Sequence, residues 1–305
     1  MIDIRALTKK FKDKTAVGQV TLQIKQGEIL GLVGESGCGK STLARLLMRL
    51  EKPTSGQIYF EGNEISTSKD RSLCRDMQMI FQDPYGSLNP RMTVKDIISE
   101  PLIIHKIPVG NTVAELLDKV GLPQNAQHRF PHEFSGGQRQ RIGIARAIAL
   151  KPKFLVCDEP ISALDVSIQA QIVDLLLALQ KELNLTYLFI AHDLARVRYI
   201  SDRIAVMYMG KIVEIADTDT LFSNPQHPYT KLLLASIPIP DPILERNRPR
   251  PILSLEPSTL FPQACGCPFS SRCSKAEPLC RETVPPLNQI GKGHSLACHL
   301  PENTK

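Results

Sequence analysis

Gly34-Glu35-Ser36-Gly37-Cys38-Gly39-Lys40-Ser41-Thr42 satisfies the pattern G-x-x-x-x-G-K-[ST]. The compact apolar segment Ile29–Val33 precedes it and reads as a strand. After it, Leu43, Leu46, Leu47 and Leu50 recur at helical spacing, and Pro53 with Gly56 marks the stop. The motif thus stands in the strand–loop–helix setting in which it binds phosphate. Gly34, Gly37 and Gly39 let the backbone wrap an anion with its N–H groups, and the helix start adds the positive end of its dipole. Lys40 is expected to reach the β- and γ-phosphates of a nucleotide and Ser41 to ligate Mg²⁺, with Ser36, Cys38 and Thr42 completing the cradle. Cys38 reads either as a small residue filling a tight turn or as a thiol drawn toward thiolate by the helix end. The first reading is preferred.

A second strand, Phe154–Cys157, ends in Asp158 and Glu159. An acidic strand tip of this kind can hold Mg²⁺, and the next carboxylate can polarise a water for attack on a γ-phosphate. A surface acidic pair is the plainer alternative, and the glycine-rich motif weighs against it. Thr186–Ile190 and Ile204–Tyr208 read as further strands, the short segment Thr21–Ile24 leads to a turn at Gly27, and Ile168, Ile172, Leu175, Leu176 and Leu179 mark one face of a helix. This alternation implies an α/β fold with a mostly parallel sheet covered by helices. Residues 84–134 are richer in Pro, Asn and His, and Leu116 with Leu117 points to a helix there, so a helical insertion is expected.

Length and composition agree. The 305 residues suit one large domain or two small ones, and 42% apolar residues can build a core. A formal charge of +6 is too small to mark a nucleic-acid or membrane binder. No run approaches the length of a membrane-spanning helix. The opening MIDIRALTKKFKDKTAV carries charges where a signal peptide needs its apolar stretch, so a cytosolic chain is expected. The eight cysteines then read as free thiols or metal ligands rather than disulfides.

The pattern changes after residue 235. Residues 236–262 are proline-dense and read as an extended linker; 263–305 form a cysteine-rich tail. Cys267, Cys273, Cys280 and Cys298 are separated by 5, 6 and 17 residues. These spacings match neither the paired knuckles of a zinc ribbon nor the bacterial ferredoxin run. On spacing alone, zinc, an iron–sulfur cluster and unligated thiols stand about level.

Four more stretches carry a resemblance: Phe134-Ser135-Gly136-Gly137-Gln138 followed by Arg139-Gln140-Arg141, then Gln82 in Phe81-Gln82-Asp83-Pro84, Ser162-Ala163-Leu164-Asp165, and Ala191-His192-Asp193. On these the chain resembles the ATP-binding cassette ATPases over residues 1 to about 235. The resemblance implies a P-loop NTPase fold with a helical subdomain at about 84–150. It implies that Ser135, Gly136, Gly137 and Gln138, at a helix start, contact nucleotide bound by an opposite subunit; Phe134 stands where leucine is commoner. Gln82 would sense Mg²⁺ alongside Ser41 and Asp158, and Asp165 would cross the dimer interface. Glu159, His192, Lys40 and Gln82 would carry catalysis. Phe11 would stack on adenine, or else pack in the core, and the short segment between Phe11 and Ala16 departs from the pattern.

Phe81–Pro90 and Asn224-Pro225-Gln226-His227-Pro228-Tyr229-Thr230 are similar to the dipeptide and oligopeptide importer branch. That branch implies a subunit that hydrolyses ATP to power peptide import. Its partners would be a second, different ATPase subunit, two membrane permeases and an extracytoplasmic substrate-binding protein, with no nucleic acid. The chain would sit peripherally on the cytoplasmic face of a bacterial membrane. A nickel or other small-solute importer and a soluble, non-transport cassette ATPase are the alternatives. The same branch carries a C-terminal cysteine motif, which implies a [4Fe–4S] cluster on Cys267, Cys273, Cys280 and Cys298, with Zn²⁺ as the alternative and Cys265 as an extra thiol.

Overall fold

The computed structural model describes residues 1–12, 14–68, 70–237, 241 and 265–301. The expected linker, 236–262, therefore lies almost wholly outside the described residues. In chain order the strands are β1 (Ile2–Phe11), β2 (Lys14–Ile24), β3 (Ile29–Val33), β4 (Ser55–Phe60), β5 (Asn63–Glu64), β6 (Met77–Ile80), β7 (Phe154–Asp158), β8 (Thr186–Ala191), β9 (Arg203–Tyr208), β10 (Lys211–Asp217), β11 (Asn288–Gly291) and β12 (His294–Leu296). They form a four-stranded sheet, β2-β1-β4-β5, and an eight-stranded sheet, β11-β12-β10-β9-β3-β8-β7-β6.

The strand β3 before the glycine motif lies inside the larger sheet, paired in parallel with β8 and β9. All five of its residues are buried. Successive side chains enter opposite layers, as a period of two requires. Ile29 and Val33 join a core under the helical side, and Leu30 and Leu32 join a core shared with the antiparallel sheet and the helix Lys40–Leu47. β7 divides likewise: Leu155 and Cys157 face the first core, Phe154 and Val156 the second. A sheet covered on both faces explains why these strands read as continuous apolar runs.

The parallel part, β9-β3-β8-β7-β6, is what the strand–helix rhythm predicts. The antiparallel sheet is not: the sequence marks only a short segment, Thr21–Ile24, before a turn there, whereas β1 and β2 run for 10 and 11 residues. Register shifts between Ile4 and Leu7, Leu7 and Lys9, and Lys9 and Lys10 break the apolar alternation that one-sided burial otherwise gives a strand. The helical subdomain contains the helices Val94–Ile104, Thr112–Lys119 and Gly136–Ile148. Thr93 and Asp96 form a reciprocal cap at the start of the first. No helix of the described residues is long and apolar enough to cross a membrane.

The cysteine-rich segment continues the core architecture. β12 pairs antiparallel with β10, and β11 pairs with β12, so this hairpin forms one edge of the main sheet. Phe269 is buried in the helical-side core, with Cys267 and Cys273 packed against it.

Candidate functional site

The glycine motif turns directly out of β3. At Gly39, φ is +110°, and a Cβ would fall 2.2 Å from the Ala16 carbonyl oxygen. At Gly34 it would meet the Met207 carbonyl oxygen at 2.1 Å. Both positions need glycine because backbone, which cannot swing away, closes on them. Lys40 is buried, and its Nζ donates to the carbonyls of Gly34 at 2.7 Å and Glu35 at 3.1 Å. Ser36 and Gly37 are exposed at the loop tip. Cys38 is buried; burial pushes its thiol pKa up, against the opposing pull of Lys40. That fits a turn-filling residue rather than a reactive thiolate.

β7 delivers Asp158 beside this loop. Ser41 Oγ donates to Asp158 Oδ1 at 3.1 Å. Burial raises the Asp158 carboxyl pKa, and Ser41, Arg45 and Lys40 pull the other way. Two hard oxygen donors meet at a buried carboxylate that a cation would stabilise, and this set suits Mg²⁺. Glu159, the next residue, has φ +46°. A non-glycine residue held in the left-handed region needs support from its surroundings. Its N–H donates to the Ile190 carbonyl at 3.0 Å, and its own carbonyl accepts from the Ser162 N–H at 3.2 Å and Oγ at 3.1 Å. The turn aims the carboxylate at Gln82 and His192. Gln82 Nε2 donates to Glu159 Oε2 at 3.0 Å, and His192 Nδ1 lies 3.5 Å from the same oxygen.

Ser135, Gly136, Gly137, Gln138 and Asp165 form a second patch. Ser135 caps the helix Gly136–Ile148: its Oγ accepts from the Gln138 N–H at 3.4 Å, and Gln138 Oε1 accepts from the Ser135 N–H at 3.1 Å. A Cβ on Gly136 would stand 3.3 Å from the Leu164 side chain, and one on Gly137 only 2.5 Å from Ile168 Cγ2. Leu164 and Ile168 lie on either side of Asp165, which stands at the N-cap position of the helix Val166–Leu183 with its side chain outside any capping hydrogen bond. Ser135 and Asp165 are exposed, leaving this patch open to an outside ligand. Phe11 is 44% exposed at the end of β1, with Lys9 Nζ 4.7 Å from its ring centroid, which sets aside core packing.

Several residues around the loop carry no sequence expectation. Arg272 forms a two-pronged pair with the Glu35 carboxylate, at 3.0 and 3.1 Å. The hydroxyl of fully buried Tyr229 accepts from the Glu35 N–H at 2.8 Å. Nearby, buried Glu214 accepts from the N–H groups of Gln226 at 2.8 Å and His227 at 2.9 Å, and pairs with His294 Nε2 at 2.8 Å. Tyr229, Gln226 and His227 sit in the 224–230 stretch and Arg272 among the cysteines, two segments that the sequence singles out without giving these side chains a role.

Cys267, Cys273, Cys280 and Cys298, with His227 and Phe269, line one small cavity. Burial raises the Cys267 thiol pKa to about 11, with the other three cysteines adding to the rise. Among the described residues, no three His, Cys, Asp or Glu side chains are grouped closely enough to hold a single metal ion. Cys265 is exposed outside the cavity.

Residues 17–162 match the family described as ABC transporter, and residues 213–280 match the oligopeptide/dipeptide transporter C-terminal region. The oligopeptide transport ATP-binding protein AppF of Bacillus subtilis is 50% identical over 96% of this chain and 91% of its own length. OppF of Bacillus subtilis is 60% identical over 77% and 80%, and OppF of Escherichia coli 51% over 94% and 88%. Among solved structures, cbiO1 of Clostridium perfringens, part of the ABC transporter complex cbiONQ, superimposes with a TM-score of 0.67 at 29% identity, over 73% of this chain and 90% of that one. The ATP-binding cassette MJ0796, solved as a dimer in a post-hydrolysis state bound to ADP and Pi, gives 0.65 at 29% identity, over 72% and 99%.

Proposed function

The chain belongs to the ABC transporter ATPases, in their oligopeptide/dipeptide importer branch, and from that membership we propose how its own residues carry out the work. It is an ATP-hydrolysing subunit that powers peptide import. The Gly34–Thr42 backbone and Lys40 hold the phosphates. Ser41 and Asp158, with Gln82 beside them, hold Mg²⁺, which neutralises charge on the β- and γ-phosphates when bound. Glu159 orients the attacking water and takes its proton. His192 stabilises charge on the transferring phosphoryl group, and Phe11 stacks on adenine.

The observation that carries this reading is the meeting of Gln82 and His192 on one oxygen of Glu159, in the residue after a carboxylate already bound to Ser41. The exposed second patch calls for an opposite subunit. We read Ser135, Gly136, Gly137, Gln138 and Asp165 as closing over nucleotide held by a second ATPase, head to tail; the dimeric cassette MJ0796 supports this. Two permeases and a substrate-binding protein complete the assembly, with the chain at the cytoplasmic membrane face. The test is ATP turnover by the assembled transporter with Glu159→Gln at its active sites. Nucleotide binding persists and turnover falls about 10²-fold or more; turnover at the wild-type rate rejects the assignment.

Residues 1–235, 236–262 and 263–305 serve as ATPase, linker and tail in this reading. Within the tail, four thiols on one cavity support a [4Fe–4S] cluster at Cys267, Cys273, Cys280 and Cys298. Soft sulfur donors suit iron–sulfur or zinc.

A further inference from the structure

Glu35 is the first residue after the turn out of β3, and each of its polar groups is engaged. Its N–H donates to Tyr229 Oη at 2.8 Å. Its carbonyl accepts from Lys40 Nζ at 3.1 Å and from the Cys38 N–H at 3.2 Å. Its carboxylate is clasped by both terminal nitrogens of Arg272. Two of these partners, Tyr229 and Arg272, lie 194 and 237 residues further along the chain.

Arg272 is itself buried, with only 8% of its side chain exposed against 37% for Glu35. Burial works against its charge, yet Glu35 and Tyr208 outweigh that and hold its pKa above the usual arginine value. Tyr208 Oη accepts from Arg272 Nη1 at 3.4 Å. The ring of Phe269 stands edge-on to Tyr208, with centroids 5.3 Å apart, and tilted against Tyr229 at 5.6 Å. Arg272 Cζ lies 5.8 Å from the Tyr208 ring centroid and 5.7 Å from that of Phe269, so these rings hold the guanidinium where a loose surface pair would be free to move.

We propose that Arg272 is a positioning residue for ATP binding: it fixes the phosphate loop through Glu35 and neutralises a carboxylate that would otherwise face the nucleotide's phosphates. This rests on the reading of Gly34–Thr42 as the phosphate site. A free anion in that loop, 37% exposed, would repel a polyanion, most strongly at low ionic strength. A fork to a carboxylate also restricts the loop in a way one lysine point charge does not.

The test is equilibrium binding of a fluorescent ATP analogue to the full-length chain at two salt concentrations. Lys40→Ala reports on the site itself: if it binds like wild type, the reading of the site fails, not the role of Arg272. With that control losing affinity, Arg272→Gln weakens binding about tenfold. The loss is larger at low salt, because repulsion is screened as salt rises. Glu35→Gln in the Arg272→Gln background regains most of the affinity by removing the stranded anion, a rescue that a purely structural role does not give. Arg272→Lys, which keeps the charge and loses the fork, falls in between and decides the matter should Arg272→Gln fail to fold. Wild-type affinity in Arg272→Gln or, if that variant is unfolded, in Arg272→Lys overturns the proposal. So does a double variant that binds no better than Arg272→Gln alone.

Discussion

Gln82 and Glu159, 77 residues apart, meet side chain to side chain, the Gln82 amide donating to Glu159 Oε2 at 3.0 Å. One comes from the loop after β6 and the other from the tip of β7, and the parallel pairing of those neighbouring strands brings their ends together. The carboxylate assigned to water activation is thus oriented by the residue assigned to Mg²⁺. A shift at one is felt at the other.

Gln82→Ala removes that orientation while leaving the carboxylate in place. ATP turnover falls about tenfold, less than with Glu159→Gln. The double variant is no slower than Glu159→Gln alone, because the two groups act as a unit. Steady-state hydrolysis by the four proteins measures this, and additive losses contradict it.

Gly137 is required by packing. Its missing Cβ would stand 2.5 Å from Ile168 Cγ2, on a β-branched side chain with little freedom to move. Gly137→Ala destabilises the fold by about 1–3 kcal/mol through overpacking. Ile168→Ala in that background opens the space and restores most of the loss. Denaturant unfolding of both variants checks it; no recovery in the pair rules out the steric account.

Acid weakens the contact between the 224–230 stretch and the C-terminal hairpin. His227 is almost fully buried, accepts from the Tyr229 N–H through Nδ1 at 3.1 Å, and has its pKa lowered to about 4 by burial against an ordinary 6.5. Its neutral form is favoured in the folded state, so the unfolded chain binds the proton first. Its contribution is whole above pH 6.5 and drains away as pH falls toward 4, by at most about 3 kcal/mol. Glu214 acts in the same sense: burial pushes its pKa up, but hydrogen bonds from His294 and the Gln226 and His227 N–H groups bring it below the ordinary value. That contribution is present above the ordinary carboxylate pKa and lost as pH falls through the lowered one. His227→Asn keeps a cap acceptor and removes the titration. Calorimetric unfolding between pH 7 and pH 4 should show a shallower loss in this variant, and an unchanged slope disproves the role of His227.

Cys273→Ser abolishes iron and sulfide binding by anaerobically prepared protein, whereas Cys265→Ser retains both. The first residue lines the cavity and the second is exposed outside it. Iron and sulfide analysis with Mössbauer spectroscopy reads the outcome. One zinc per chain and no iron after anaerobic reconstitution instead selects the zinc alternative.

The sequence by itself determined the parts of this protein whose chemistry is local. Gly34–Thr42, Asp158 with Glu159, and Ser135–Gln138 are contiguous, and each combines residue types that only one backbone setting uses well. The buried strands were legible because both faces of the sheet are covered, which makes β3, β7, β8 and β9 nearly continuous apolar runs. Tertiary structure alone decided which oxygen Gln82 and His192 share, that Gly137 answers to Ile168, and that the antiparallel sheet runs through β1. It also decided that the cysteine-rich tail closes onto the nucleotide site: Glu35 and Arg272 lie 237 residues apart and β10 and β12 on either side of the linker region. A charge or an edge strand shows in sequence that it needs a partner, but not which one. That choice is made when burial removes water as the alternative.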